Sequence, residues 1–208
     1  MKLIAVIQQK GGAYKSTLTM ELAQQLASEE YKVAVADLDP HNSNVVKLTR
    51  KAKVNNHQIG FTLIKQLKEA KGFDICLLDT QAAWLSNDSN AISYLTKASA
   101  VVIPCSPRQQ DREGAQETMK RLVLEHFDLD KVALVTIGAQ NSSQHKNIQA
   151  FGVSEGLEPC MTYIPFSELL PKHHAKGSLL AGRNVHGSRA IVKAFEGIAS
   201  HVKGLAHV

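Results

Sequence analysis

Gln9-Lys10-Gly11-Gly12-Ala13-Tyr14-Lys15-Ser16-Thr17 follows the aliphatic run Leu3-Ile4-Ala5-Val6-Ile7 and precedes a segment in which Leu18, Leu22 and Leu26 recur at helical spacing. A loop between strand and helix becomes a phosphate cradle when small residues let successive backbone N–H groups converge, with the positive end of the helix behind them. Gly11, Gly12 and Ala13 supply the small residues, and Tyr14, Lys15, Ser16 and Thr17 complete the loop. At this spacing Lys15 would reach the β- and γ-phosphates, and the Ser16 hydroxyl would ligate Mg2+. A strand-to-helix turn with solvent-facing lysines is the plainer alternative.

Working outward, two further aliphatic runs end in acid. Lys32-Val33-Ala34-Val35-Ala36 leads into Asp37-Leu38-Asp39-Pro40-His41, and Phe73-Asp74-Ile75-Cys76-Leu77-Leu78 into Asp79-Thr80. Alternation along a strand turns Asp37 and Asp39 to one side. Taken singly, each aspartate reads as a turn or a helix cap. Three unpaired carboxylates at adjacent strand ends would be costly to bury, so together with the loop they favour a shared cation, with Ser16, Asp37 and Asp79 as candidate metal-site residues.

The rest of the chain repeats this alternation. Strands are expected at residues 2–8, 32–37, 74–79, 99–105, 131–137 and 160–164, and helices at 16–29, 58–71, 87–97, 109–126, 141–151 and 188–203. The first helix should carry Leu18, Leu22 and Leu26 inward and leave Gln24, Glu29 and Glu30 wet. The fold class is α/β: a single-domain P-loop NTPase fold over residues 1–208, its mostly parallel twisted sheet covered by helices on both faces. In such sheets ligands gather beyond the carboxyl ends of the strands, where every motif above falls.

Composition narrows the class further. Three cysteines, Cys76, Cys105 and Cys160, sit far apart in apolar runs, which argues for buried thiols in a reducing compartment rather than disulfides or zinc. No run approaches the ~18 apolar residues of a membrane span, so a cytoplasmic location is expected. The net charge is +5 and is concentrated at one end: Lys172, Lys176, Arg183, Arg189, Lys193 and Lys203 face Glu196 alone after residue 170. That asymmetry suits a polyanion, nucleic acid or an anionic membrane, as well as an idle solvated face. The pair His173-His174 reads as surface, since two adjacent residues seldom converge on a metal.

Lys10, Gly11 and Lys15-Ser16-Thr17 match the KGGxGK[ST]T signature of the deviant Walker A ATPases, and the chain resembles that ParA and MinD family, in particular compact plasmid-type ParA partition proteins without an amino-terminal helix-turn-helix extension. Asp37-Leu38-Asp39-Pro40 resembles the DxDPQ motif, with His41 in place of glutamine, and Asp79-Thr80 the Walker B segment, with Gln81-Ala82 in place of two prolines. Val101–Pro107 with Asp111 is similar to the segment facing the dimer. Thr162-Tyr163-Ile164-Pro165 and Lys176-Gly177 are similar to the strand and loop near the base. The resemblance implies ATP and Mg2+ as cofactors, with Asp39 orienting the attacking water and Asp37 supporting magnesium through water. It also implies Lys10 reaching the partner subunit's nucleotide, Lys15 neutralising phosphate charge, and Pro165 near the base.

It further implies a homodimer bridged by ATP, non-specific binding of double-stranded DNA, nucleoid association and a ParB-like activator protein. Lys172, Lys176, Arg183 and Arg189 are the DNA-binding candidates, with Lys47, Arg50, Lys51 and Lys53 as a second cluster. Few aromatic residues accompany them, which favours duplex backbone over single-strand stacking. Ile191, Val192, Phe195, Ile198, Ala199, Val202 and Leu205 form an apolar stripe that would either close the core or, in a MinD-like variant, meet a membrane. The family has glycine where this chain has Tyr14, because backbone passes close to phosphate there. The phenol ring must swing outward or obstruct the pocket, and in the second case the chain would be a catalytically impaired scaffold.

Overall fold

The computed structural model describes residues 1–208 apart from His41, Asp88, Ser89 and Asn184. In chain order the elements are β1 (Lys2–Val6), α1 (Lys15–Ser28), β2 (Val33–Leu38), α2 (Asn44–Val54), β3 (Thr62–Ile64), β4 (Ile75–Thr80), α3 (Trp84–Asn87), α4 (Ala91–Leu95), β5 (Ala100–Cys105), α5 (Gln109–Leu124), β6 (Val132–Ala139), α6 (Ser142–Ser154), β7 (Ile164–Pro165), α7 (Leu169–Ala175) and α8 (Arg189–Ala206). The strands form one sheet in the order β3-β2-β4-β1-β5-β6-β7 with every pairing parallel.

A parallel sheet needs both faces covered, which is why the strands are almost continuously apolar. Ile4, Val6, Val33, Val35, Ile75, Leu77, Val102 and Val135 point to one side and pack with Leu18, Leu22, Phe195 and Ile198 from α1 and α8. Leu3, Ala5, Ile7, Cys76, Leu78, Val101 and Ile103 point to the other and pack with Trp84, Leu95, Met119 and Ile148. Ile191, Phe195, Ile198, Ala199 and Val202 are buried in the first of these cores, so the terminal helix spends its apolar stripe on the sheet. Cys76, Cys105 and Cys160 are free, buried thiols, and burial pushes the first two up to about 12.

Three local expectations are overturned. Residues 58–71 are not a helix: β3 and a 3-10 turn at Leu67–Ala70 occupy the span, because Thr62–Ile64 finds a parallel partner in β2 at the sheet edge. The helix expected over 87–97 is the short pair α3 and α4, with Asp88 and Ser89 outside the described residues. The strand expected at 160–164 contracts to Ile164–Pro165, and α2 and α7 add helices that apolar periodicity did not mark.

Of the expected wet face of α1, Glu30 is exposed and Glu29 half-buried, but Gln24 is buried, as are Glu21 and Gln25. Gln24 accepts from Gly60 N at 2.9 Å and Gln25 from Gly182 N at 3.1 Å. Glu21, wholly buried, accepts from Leu180 N at 2.9 Å, Ala181 N at 2.8 Å and His174 Nε2 at 2.7 Å. His173 meets Ser178 Oγ at 3.3 Å, so neither histidine is the surface residue expected of it. A polar face on α1 thus serves as the acceptor row for chain that returns beside it, and a buried carboxylate is tolerable there because its lone pairs are filled. Glu21→Ala strands two buried amides and should lower the unfolding free energy by about 3 kcal/mol in urea titration, with Glu21→Gln recovering part of the loss.

Candidate functional site

Sheet order assembles the site. The neighbours β2, β4 and β1 end together, Asp37 lies directly across from Asp79, and Val6, on the approach to the loop, flanks Asp79 on its other side. Residues far apart in sequence meet because three parallel strands must end at one edge.

The loop from Gln8 to Tyr14 wraps a cavity of about 230 Å³ lined by Gly11, Gly12, Lys15, Ser16, Asp39 and Asn44, among others. Gly12 has φ +71, a left-handed turn that glycine enters without steric cost. The first intrahelical bond of α1 runs from Leu18 N to Tyr14 O at 2.9 Å, so the amides ahead of it are the open donors of a helix start. Acidic residues are absent from the first turn, which keeps that end of the helix positive.

Lys15 is buried, and its Nζ donates to Gln8 O at 3.2 Å and Lys10 O at 3.0 Å. Burial pulls the pKa of this ammonium down, opposed by the carboxylates of Asp79, Asp39 and Asp111. Asp79 is fully buried: Oδ1 accepts from Thr19 Oγ1 at 3.3 Å, while Oδ2 has no hydrogen-bond partner. Burial raises its pKa to about 7, strengthened by the nearby Asp37 charge and opposed by Ser16, Lys15 and Thr19. A carboxylate oxygen buried with no partner is the residue type and environment that a cation would satisfy. The described residues contain no cluster of three or more acidic, histidine or cysteine ligands, so a cation here would take Ser16, Asp79 and ligand oxygens, the sparse coordination that suits Mg2+.

Asp37 and Asp39 have different surroundings. Asp37 accepts from Asp39 N at 3.2 Å and Val46 N at 3.3 Å, holding the start of α2; burial raises its pKa despite those bonds. Asp39 lines the cavity and is oriented by Asn42, whose N and Nδ2 reach its two carboxylate oxygens at 3.0 and 2.9 Å. His41 lies outside the described residues. Lys10 is exposed.

The family described as the CobQ/CobB/MinD/ParA nucleotide binding domain matches residues 4–180, most of the chain. The chain belongs to that family. Among curated proteins, maintenance of carboxysome distribution protein A of Gloeobacter kilaueensis is 28% identical over 168 residues, covering 72% of this chain and 74% of that protein. MinD cell division protein of Aquifex aeolicus superposes with TM-score 0.76 at 15% identity, covering 98% of this chain and 97% of the other. A plasmid partition protein of Borrelia burgdorferi bound to AMPPNP gives 0.71 at 17% identity, covering 96% and 97%. At such identities the superpositions speak for the fold alone.

Within this nucleotide-binding fold, sequence reading missed several residues that shape the loop. Gln8 Nε2 ties β1 to Pro104 O at 3.1 Å and Asp111 O at 3.0 Å. Arg108 Nη2 bonds Gly12 O at 3.1 Å and Asp111 Oδ2 at 2.7 Å, and Ser106 Oγ donates to Asp111 at 2.5 Å. Asn44 Nδ2 reaches Ser16 Oγ at 3.3 Å. Arg108 and Asp111, three apart at the start of a helix, were the only signal available.

Pro165 lies across from the loop in a second, more apolar cavity of about 190 Å³ with Tyr14, Gly138 and Phe166. The expected companion Lys176-Gly177 does not line it: Lys176 O accepts from Asn55 Nδ2 at 2.8 Å, fastening the end of α7 to α2. That contact brings the end of α7, the helix that carries Lys172, against α2, whose Lys47 and Lys51 border the groove between the two helices. Arg183, which donates to Gln58 O, borders a separate depression with Arg189 and Lys193. The four basic candidates therefore form two pairs.

The raised pKa of Asp79 carries a sign. Its folded value of about 7 exceeds the unfolded value, so the metal-free protein keeps this contribution to stability below the unfolded pKa and loses it as pH rises to about 7. In EDTA, the difference in unfolding free energy between Asp79→Asn and wild type should grow in favour of the variant by roughly 2–3 kcal/mol between about pH 5 and about pH 8. Urea titrations at the two pH values measure it, and an unchanged difference would refute the shift.

Proposed function

We propose that the chain is a ParA-like ATPase that positions DNA or another cargo by forming a homodimer bridged by MgATP. The observation that carries this reading is the buried Lys15 ammonium beside the cavity that Gly11–Thr17 line, within electrostatic reach of a buried Asp79 carboxylate oxygen that has no partner. Such a pocket stabilises a polyanion with its cation better than either charge alone.

Bound MgATP supplies a phosphoanhydride whose terminal phosphoryl group passes to water. Lys15 neutralises charge on the phosphates, and the backbone N–H groups of Gly11, Gly12, Ala13, Lys15, Ser16 and Thr17 hold them in place. Ser16 and Asp79 hold magnesium, and Asp37 supports them from the base of α2. Asp39, turned by Asn42, orients the attacking water. Lys10 projects toward the partner subunit's nucleotide, so the site is complete only in the dimer and turnover is slow until a ParB-like activator engages. The Gloeobacter relative's name concerns carboxysome distribution and the Borrelia relative's concerns plasmid partition, so cargo positioning is the shared theme that supports this reading.

Lys172 and Lys176, with Lys47 and Lys51, give the dimer one basic face, and Arg183 and Arg189 a second; both suit non-specific contacts to duplex phosphates. Lys172 also pairs with Glu168 at 2.8 Å, an exposed ion pair weak enough to yield to phosphate. A membrane is the poorer partner, since α8 uses its apolar residues in the core and no helix among the described residues is long and apolar enough to cross a bilayer. A second reading, a scaffold that no longer turns over, is favoured by one residue: Tyr14 stands at φ 63 where the backbone should pass closest to phosphate.

By calorimetry, Lys15→Ala should lose at least about tenfold in MgATP affinity. Asp39→Ala should bind MgATP within about threefold of wild type while hydrolysis falls by about a hundredfold. Equal affinity in wild type and Lys15→Ala would sink the motor. With MgATP and plasmid DNA, the double variant Lys172→Ala/Lys176→Ala should reduce the slope of log affinity against log salt by about 2. An unchanged slope would remove those residues from the interface.

A further inference from the structure

Two cavities flank the ring of Tyr14, and Tyr14 and Thr17 are the described residues that line both. One is the charged loop cavity with Lys15 and Ser16; the other is apolar, walled by Ile137, Pro165, Phe166 and Leu170. The ring is held in between. The Arg108 guanidinium lies over it, 5.6 Å from its centroid, while Arg108 itself is anchored on Gly12 O and Asp111. At the other end its hydroxyl stands over Gly138, where a Cβ would lie at an ordinary contact distance of 3.7 Å from that oxygen; Gly138 has φ +76, so a side chain is disfavoured there on backbone grounds.

A nucleoside triphosphate that laid its phosphates in the first cavity and its base against the apolar walls of the second would have to pass the ring. Polyphosphate alone would not. Resting on the phosphate-loop reading above, we propose that the site selects its ligand by the magnesium-bound polyphosphate chain, that Tyr14 excludes or displaces the nucleoside, and that inorganic tripolyphosphate is therefore as good a ligand as ATP, with adenine and guanine scarcely distinguished. Everything that would grip phosphate lies on the open side of the ring: the loop amides, Lys15 and Ser16. The apolar walls that would take a base line the other cavity, and moving the ring aside to join the two gives up its contact with Arg108.

The test is calorimetric titration of the full chain, and of Tyr14→Gly and Lys15→Ala, with magnesium tripolyphosphate, MgATP and MgGTP. Tyr14→Gly removes a left-handed non-glycine residue, so the change favours folding. Wild type should bind the three ligands within about threefold of one another, Tyr14→Gly should gain about tenfold or more for MgATP with tripolyphosphate little changed, and Lys15→Ala should lose tripolyphosphate. Wild type that binds MgATP tenfold more tightly than tripolyphosphate would overturn the proposal. Tripolyphosphate bound equally by Lys15→Ala would do so too, since the basic surface would then be its site. If wild type binds none of the three and Tyr14→Gly binds MgATP, the ring closes the phosphate cavity as well; this proposal falls while the phosphate-loop reading stands. Binding to neither protein would end both.

Discussion

Burying an ammonium and a carboxylate at the end of a parallel sheet is unfavourable unless something else completes them, and the architecture around Lys15 and Asp79 is built to hold that incomplete pair. Lys15 leans on two loop carbonyls; Asp79 receives one hydroxyl and keeps one oxygen without a partner. Burial pulls the first toward neutrality and pushes the second the same way. Each group's proton equilibrium is thus tuned against its own charge, and a polyanion arriving with a divalent cation relieves both at once. The core beneath supplies the rigidity that this requires, because the strands that present these residues are buried on both faces.

Arg108 transmits the same constraint sideways. It joins the carbonyl of Gly12 to the buried carboxylate of Asp111 and lies against the Tyr14 ring. Ser106 and Gln8 close the arrangement by bonding Asp111 through its side chain and its backbone oxygen. The loop is therefore fixed from the β5–α5 side, through the Arg108 guanidinium and through Gln8 and Gln9, which bond Asp111 O and Thr118 Oγ1. On the opposite side, Glu21 binds the returning chain at Leu180 and Ala181 to α1, so the helix whose start faces the cavity is braced along its length.

How much of this could be read from residues alone follows from the range of the interactions. The loop at 9–17 and the acid after each apolar run are local in sequence, and reading them marked residues that the sheet brings to one edge. The sheet's edge was not legible: Thr62-Leu63-Ile64 is too short to show a period, and only pairing with Ala34–Ala36 makes it a strand. Nor was α2, whose polar sequence Lys47, Arg50, Lys51 and Lys53 looked like a charge cluster rather than a helix capped by Asp37. The histidine pair failed for the same reason. His174 is half-buried against a glutamate 153 positions away, a distance that no local pattern reports.

At Tyr14 local rule and observed structure conflict within the site itself. A bulky residue at φ 63 costs free energy that glycine avoids, and folding gains nothing from the left-handed turn that glycine would not give. Strain of that kind persists where surrounding structure holds it, and here the hold is visible in the guanidinium over one face of the ring and the bare Gly138 backbone under its hydroxyl. Gly138, near the end of β6, and Arg108, just ahead of α5, both lie beside the same side chain. The departure from the family signature is therefore integrated into the site, and the partition it makes between a charged and an apolar cavity is a property of the fold rather than of the loop alone.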